Sequence, residues 1–124
     1  MKVKVCGLRY YENVQAVCRL QPDYAGFIFY PRSPRFVGDD PDPRIFSEVP
    51  ERTRRVAVLV NETPEKAVGI IERYGFDAVQ LHGDESPEMC NAMLSLGVEV
   101  IKALSADKLA DTGMLVEYGR VTNH

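Results

Sequence analysis

The sequence predicts an α/β protein built on a parallel sheet, and two observations predict it. Short apolar runs rich in β-branched and aromatic residues recur along the 124 residues, and amphipathic helical patterns lie between them. Several runs lack the apolar/polar alternation of a half-exposed strand, and near-continuous runs belong to strands covered on both faces, as in parallel sheets.

The first run, Val3 to Cys6, leads into a helix over Glu12 to Leu20 that puts Val14, Val17 and Cys18 on one face. A second strand, Ala25 to Tyr30, is followed by the turn-rich Asp39-Asp40-Pro41-Asp42-Pro43 and a short helix near Arg44 to Glu48. The third strand is Val56 to Val60. Its helix, Glu65 to Tyr74, carries Val68, Ile71 and Tyr74 on one face. Thr63-Pro64-Glu65 opens that helix with a capping hydroxyl, a proline at the first helical position and a carboxylate near the positive dipole end. Gly75 closes it. Ala78 to Leu81 forms the fourth strand, and Ser86-Pro87-Glu88 repeats the entry signal for a helix over Glu88 to Leu96. That helix places Ala92, Met93 and Leu96 together and ends at Gly97. A fifth strand, Val98 to Leu104, precedes a last helix from about Asp107 to Tyr118.

Strand starts spaced by roughly 20 to 30 residues leave room for helical crossovers between parallel neighbours. Two architectures use such units, the open doubly wound sheet and the closed (β/α)8 barrel. The first strand-to-helix turn, Cys6-Gly7-Leu8-Arg9, lacks both GxGxxG and GxxxxGK[ST], so dinucleotide and P-loop readings lose their support. Cys6, Arg32, Arg35, Asn61 and His82 instead stand at or just beyond strand C-terminal ends, the catalytic face of a barrel.

Composition is that of an ordinary globular chain, with 45% hydrophobic and 27% charged residues. We expect one domain over residues 1–124. A formal charge of −3 argues against a nucleic-acid partner, and no apolar run is long enough for a membrane span. The N-terminal MKVKVCGLRY has no signal-like apolar stretch, which predicts a cytoplasmic location. Three cysteines without CxxC spacing predict free thiols and no zinc site.

Cys6 is the candidate catalytic thiol, and Cys18 and Cys90 read as packing residues within helices. A free thiol is mostly protonated at neutral pH, so a thiolate needs a cation or helix N-terminus nearby; Arg9 is the nearest in sequence. The loop from Phe29 to Val37 sets Arg32 and Arg35 among two prolines, a stiff means of presenting a guanidinium to an anionic small molecule. Gln80 to Asp84 gathers amide, imidazole and carboxylate at the end of strand four, with His82 a candidate substrate contact. Paired acids such as Asp84-Glu85 read as loop and helix-entry residues.

Four stretches in register resemble the phosphoribosylanthranilate isomerase family. They are Lys4-Val5-Cys6-Gly7-Leu8; Gly26-Phe27-Ile28-Phe29-Tyr30-Pro31 with Ser33-Pro34-Arg35; Val58-Leu59-Val60-Asn61-Glu62; and Ala78-Val79-Gln80-Leu81-His82-Gly83. The resemblance implies a (β/α)8 barrel fold and a cofactor-free Amadori rearrangement of N-(5'-phosphoribosyl)anthranilate in tryptophan biosynthesis. It further implies that Cys6 is the general base, that Arg35 holds the anthranilate carboxylate and that His82 lies beside the substrate.

The family's general acid is an aspartate in an FLFDT-like stretch of strand six, and its phosphate grip comes from glycine-rich loops after strands seven and eight. No such stretches follow Leu104 here. A complete barrel takes ~200 or more residues, so we expect an open partial barrel of about five βα units, a truncated member. Two readings follow. One is an isomerase by ancestry. The other is a non-catalytic half-barrel remnant that self-associates through open sheet edges or needs a complementing fragment. A third, an aldolase on the same barrel, requires a Schiff-base lysine, for which Lys102 is the candidate.

Overall fold

Five parallel strands form one sheet in the order β1-β2-β3-β4-β5, each paired with its neighbour in sequence. The computed structural model describes residues 1–105 and 112–124. Its elements are β1 (Lys4–Cys6), α1 (Tyr11–Arg19), β2 (Tyr24–Ile28), α2 (Arg44–Ser47), β3 (Arg54–Leu59), α3 (Pro64–Tyr74), β4 (Ala78–Leu81), α4 (Pro87–Leu94), β5 (Glu99–Lys102) and α5 (Thr112–Gly119). The expected last helix is present from Thr112; its first part, 107–111, lies outside the described residues.

This order never reverses, so right-handed crossovers carry successive helices to one face. A doubly wound sheet reverses at its switch point and is thereby excluded. The strands are also staggered. One row of partners runs Cys6, Gly26, Val56, Ala78, Glu99, from the last residue of β1 to the first of β5. Such drift is the tilt by which a sheet curls into a barrel, and the chain is an open partial barrel.

The main core lies between sheet and helices. Ala25, Phe27, Ala57, Leu59, Val79, Leu81 and Val100 face Val14, Phe46, Ala67, Ile71, Cys90 and Met93. The short α2 inserts Phe46 among aromatic rings, with centroids 4.9 Å from Phe27 and 4.8 Å from Tyr74. On the opposite face Tyr24, Ile28, Val56, Val58 and Ala78 pack together with Cys6, Tyr30 and Ile101 at their margin. A half-open sheet would be expected to expose this face. Its apolar residues are instead buried, because staggered side chains on the inner face cover one another.

The capping signals behave as the sequence predicts. Thr63 Oγ1 accepts from Lys66 N and Ser86 Oγ from Met89 N, each at 3.2 Å. Gly75 adopts φ +68° at the end of α3, where an L side chain would be strained. The inward face of α4 differs from expectation. Met89, Cys90 and Met93 are buried, while Ala92 is exposed and Leu96 is 42% exposed. The helix ends at Leu94, and tight turns from Leu96 N to Met93 O and Gly97 N to Leu94 O swing Leu96 outward.

Beyond α5 the last residues run along the outer edge of β5. His124 N donates to Val100 O at 3.3 Å and Lys102 N to His124 O at 3.0 Å, the pattern of a parallel pairing of His124 with Ile101. These residues occupy the place beside β5 that a further parallel strand of a barrel would take.

Polar side chains close the inner face at its N-terminal end. Glu99 accepts from Tyr24 Oη at 2.7 Å, pairs with Arg54 Nε at 2.7 Å and contacts His124. Lys4 reaches across to Gln80 Oε1. Burial pushes the Glu99 carboxyl up, but the hydrogen bonds to Tyr24 and His124 and the charges of Arg54 and His124 outweigh it, holding it below its ordinary 4.5. A carboxyl depressed in the folded state stabilises above its unfolded value, and that stability is lost as pH falls through the folded value. In urea unfolding, the stability advantage of wild type over Glu99→Gln should narrow as pH falls below about 5. A gap that stays constant to about pH 3 would contradict this network.

Candidate active site

β1 ends at Cys6, and the chain turns at once through Gly7, whose φ of +84° favours glycine. Gly7 N and Leu8 N both donate to Gly26 O, at 3.1 and 3.2 Å, tying this turn to the middle of β2. Gly26 leaves the space that the thiol occupies: a Cβ there would lie 3.0 Å from Cys6 Sγ.

The loop after β2 is held by its own turns. Ser33 N donates to Tyr30 O and Phe36 N to Ser33 O, and Arg35 N donates to Ser33 Oγ. Phe36 makes a lone parallel bridge to Ile28, which brings the loop back against β2. Of the two loop arginines, Arg35 is the one brought to Cys6. Its Nη1 donates to Cys6 O at 3.4 Å, and its side chain lies over Gly7, where a Cβ would stand 2.6 Å from Cδ. The guanidinium is exposed, so its planar fork can still offer paired donors to a carboxylate.

Arg9 does not serve Cys6 as its place in the sequence suggested. Its Nη1 donates to Pro34 O at 2.7 Å and its guanidinium sits 4.6 Å from the Tyr10 ring centroid. Arg9 braces the Arg35 loop instead.

His82 follows β4 directly, two residues beyond the inner-facing Gln80, and its backbone N–H donates to Leu59 O at 2.9 Å. It is exposed at the same C-terminal rim as Cys6 and Arg35, three strands away from β1. The structure therefore joins Cys6 with Arg35 and sets His82 across the rim from them.

Two residues of this rim form a pair that the sequence reading does not predict. Lys102 lies on the outward face of β5, not the inner one, and its ammonium pairs with Glu85 Oε1 at 3.1 Å; both side chains are 2% exposed. Nζ also meets Leu81 O, Gly83 O and Ala103 O at 2.7 to 3.1 Å. An enclosed, ion-paired ammonium has no opening to a carbonyl substrate, so the Schiff-base reading of Lys102 loses its support. Glu85 lies in the loop at the entry to α4, as expected, but it is buried there as the partner of Lys102. The signal in the sequence was a lone lysine ending an apolar strand, which requires a buried counterion if it points outward.

Cys18 and Cys90 are buried. Burial pushes both thiols up, and Glu48 adds to the effect at Cys18. For Cys90, Lys102 opposes burial and Glu85 adds to it. Neither thiol reaches the rim.

A sequence model of the family described as N-(5'-phosphoribosyl)anthranilate (PRA) isomerase matches residues 3–123. The chain is 38% identical over 111 residues to N-(5'-phosphoribosyl)anthranilate isomerase of Phocaeicola vulgatus, covering 90% of this chain and 52% of that protein. It superimposes with a TM-score of 0.81 on the crystal structure of phosphoribosyl anthranilate isomerase from Thermotoga maritima, at 34% identity over 95% of this chain and 57% of that one. A second crystal structure of such an isomerase, in complex with reduced 1-(o-carboxyphenylamino)-1-deoxyribulose 5-phosphate, superimposes at 0.74 with 36% identity, over 87% of this chain and 56% of that one. The chain spans about half the length of the curated relatives it matches.

Native alkylation with iodoacetamide should label Cys6 alone, with Cys18 and Cys90 reacting only after unfolding. Gly26→Ala should slow the Cys6 reaction, because the added methyl forces Sγ to move by a few tenths of an ångström. Mass spectrometry checks both; native labelling of Cys18 or Cys90 would contradict their packing role.

Proposed function

The chain belongs to the N-(5'-phosphoribosyl)anthranilate isomerase family, and from that premise we propose that its site serves the aldose–ketose isomerisation of N-(5'-phosphoribosyl)anthranilate in tryptophan biosynthesis. The observation that carries this reading is the hydrogen bond from Arg35 Nη1 to the Cys6 carbonyl, which holds an exposed guanidinium at the strand end that carries the thiol.

Ring opening of the aminoaldose leaves a protonated imine at C1. Cys6, as thiolate, takes the proton from C2, and the electron pair moves toward the iminium nitrogen to give an enolamine. Protonation at C1 and loss of the O2 proton then yield the ketose; C2 is oxidised and C1 reduced within one molecule, so the step needs no cofactor. Arg35 holds the anthranilate carboxylate in a bidentate grip, and His82 lies beside the substrate. Protonation of the ring oxygen is assigned to no residue of this chain. A cytoplasmic location accompanies the reading, since three unpaired thiols suit a reducing compartment.

A second reading is favoured by β1, which pairs with β2 alone and leaves its outer edge without a strand among the described residues. Such an edge suits a second copy of the chain or a complementing polypeptide. Sedimentation tests it: a monomer at every concentration would contradict self-association.

The ligand-binding half of the proposal is tested with the full chain and reduced 1-(o-carboxyphenylamino)-1-deoxyribulose 5-phosphate by calorimetric titration. Arg35→Ala should weaken binding about tenfold to a hundredfold, the loss of a charge-assisted pair of hydrogen bonds. Cys6→Ala should leave it within about threefold, because a base acts mainly in the transition state. Undiminished binding by Arg35→Ala, or none by wild type, would overturn the proposal.

A further inference from the structure

The buried Glu85–Lys102 pair lies outside the chemistry assigned to Cys6 and Arg35, yet every partner it holds belongs to the rim. Lys102 Nζ grips Leu81 O at 3.1 Å and Gly83 O at 2.7 Å, the carbonyls on either side of His82. Glu85 Oε1 accepts from Gly83 N at 2.8 Å, and Oε2 accepts from Asn61 N at 2.8 Å, in the loop after β3. Asn61, at φ +51°, returns its Oδ1 to Asp84 N at 2.7 Å. Gly83 has no room for a side chain, since a Cβ would lie 2.7 Å from Asn61 Cγ. Tyr118 Oη donates to the Glu85 carbonyl, adding α5 to the cluster.

One ion pair therefore ties together the ends of β3, β4 and β5 and the helix that follows. Two charges so enclosed contribute less stability than their number suggests, because their desolvation offsets most of their attraction. A hydrophobic pair would fill the same space. What a hydrophobic pair cannot do is hold backbone groups by direction, and five of the groups held here are peptide N–H or C=O groups of the rim.

We propose that Glu85 and Lys102 are positioning residues for the substrate: by fixing the backbone on both sides of His82 and at Asn61, they present the imidazole along the inner face. The inference rests on the reading that His82 lies beside the substrate. It assigns no proton transfer to the pair. Lys102 acts as a clamp whose charge never leaves Glu85, and Glu85 links the clamp to the neighbouring loop.

The test uses the full chain, in which His82 and His124 are the only histidines, so ring signals are separable by NMR with His124→Gln as reference. The double variant Glu85→Gln/Lys102→Met removes both buried charges and avoids leaving either one unpaired. It should keep a wild-type circular dichroism spectrum and a similar Tm. Its His82 ring signals should shift and broaden, and its affinity for reduced 1-(o-carboxyphenylamino)-1-deoxyribulose 5-phosphate should fall about tenfold, the order of one lost oriented hydrogen bond. Unchanged ring signals and affinity in the folded double variant would overturn the proposal. A second measurement needs no variant: backbone order parameters at His82 and Gly83 in wild type should match the strands, near ~0.85, and values under about 0.6 would overturn it. If wild type does not bind the analogue, the isomerase reading fails, while the ring signals and order parameters still decide the positioning role.

Discussion

Parallel strands paired in strict sequence order are the constraint on which the rest depends. Because each crossover advances by one place, every strand leaves the sheet at the same end, and the loops that follow β1, β2, β3 and β4 converge there. Cys6, Arg35, Asn61 and His82 share one rim by this topology, with the loop after β2 carrying Arg35 to Cys6 and His82 standing across the rim from them. Stagger then sets their height. The row from Cys6 to Glu99 places the thiol at the top of its strand and the Glu99 network at the bottom of β5.

Polar side chains gather toward the N-terminal end of the inner face, and Gln80, held by Lys4, stands among its apolar residues. At the N-terminal end Tyr24, Arg54 and His124 converge on Glu99. At the C-terminal rim the charges differ in direction: Arg35 is exposed, while Lys102 is withdrawn behind β5 and held by Glu85 and carbonyl oxygens. Glycines at 7 and 26 give the Arg35 side chain and the Cys6 thiol room that any Cβ would take.

Much of this was legible in the sequence, for reasons local to each segment. Ala78 to Leu81 was bounded correctly because Gly75 and the following Pro87-led helix punctuate it on both sides. Thr63 and Ser86 are recognisable as caps because each hydroxyl precedes a proline, a glutamate and an amphipathic run, whereas Ser33-Pro34 has no such run after it. The resemblance pointed to Cys6, Arg35 and His82, but not to the contact between the first two. Side-chain direction was less legible. Where both sheet faces are apolar, as in Val98 to Leu104, alternation gives no parity, so Lys102 could not be set outward from its neighbours. The inward face of α4 was misjudged because the helix stops at Leu94, a boundary fixed by turn hydrogen bonds and not by apolar spacing. Nearness in sequence points Arg9 toward the thiol, whereas its guanidinium donates to Pro34 O in the loop of Arg35.

The isomerisation proposed for this site requires a base at C2 of the substrate. Freshly generated N-(5'-phosphoribosyl)anthranilate, mixed with the purified full chain and followed by the decay of its fluorescence, should be converted faster than in buffer, and Cys6→Ala should abolish the difference. Identical decay in wild type, Cys6→Ala and buffer would contradict the role of Cys6 as the base of this reaction.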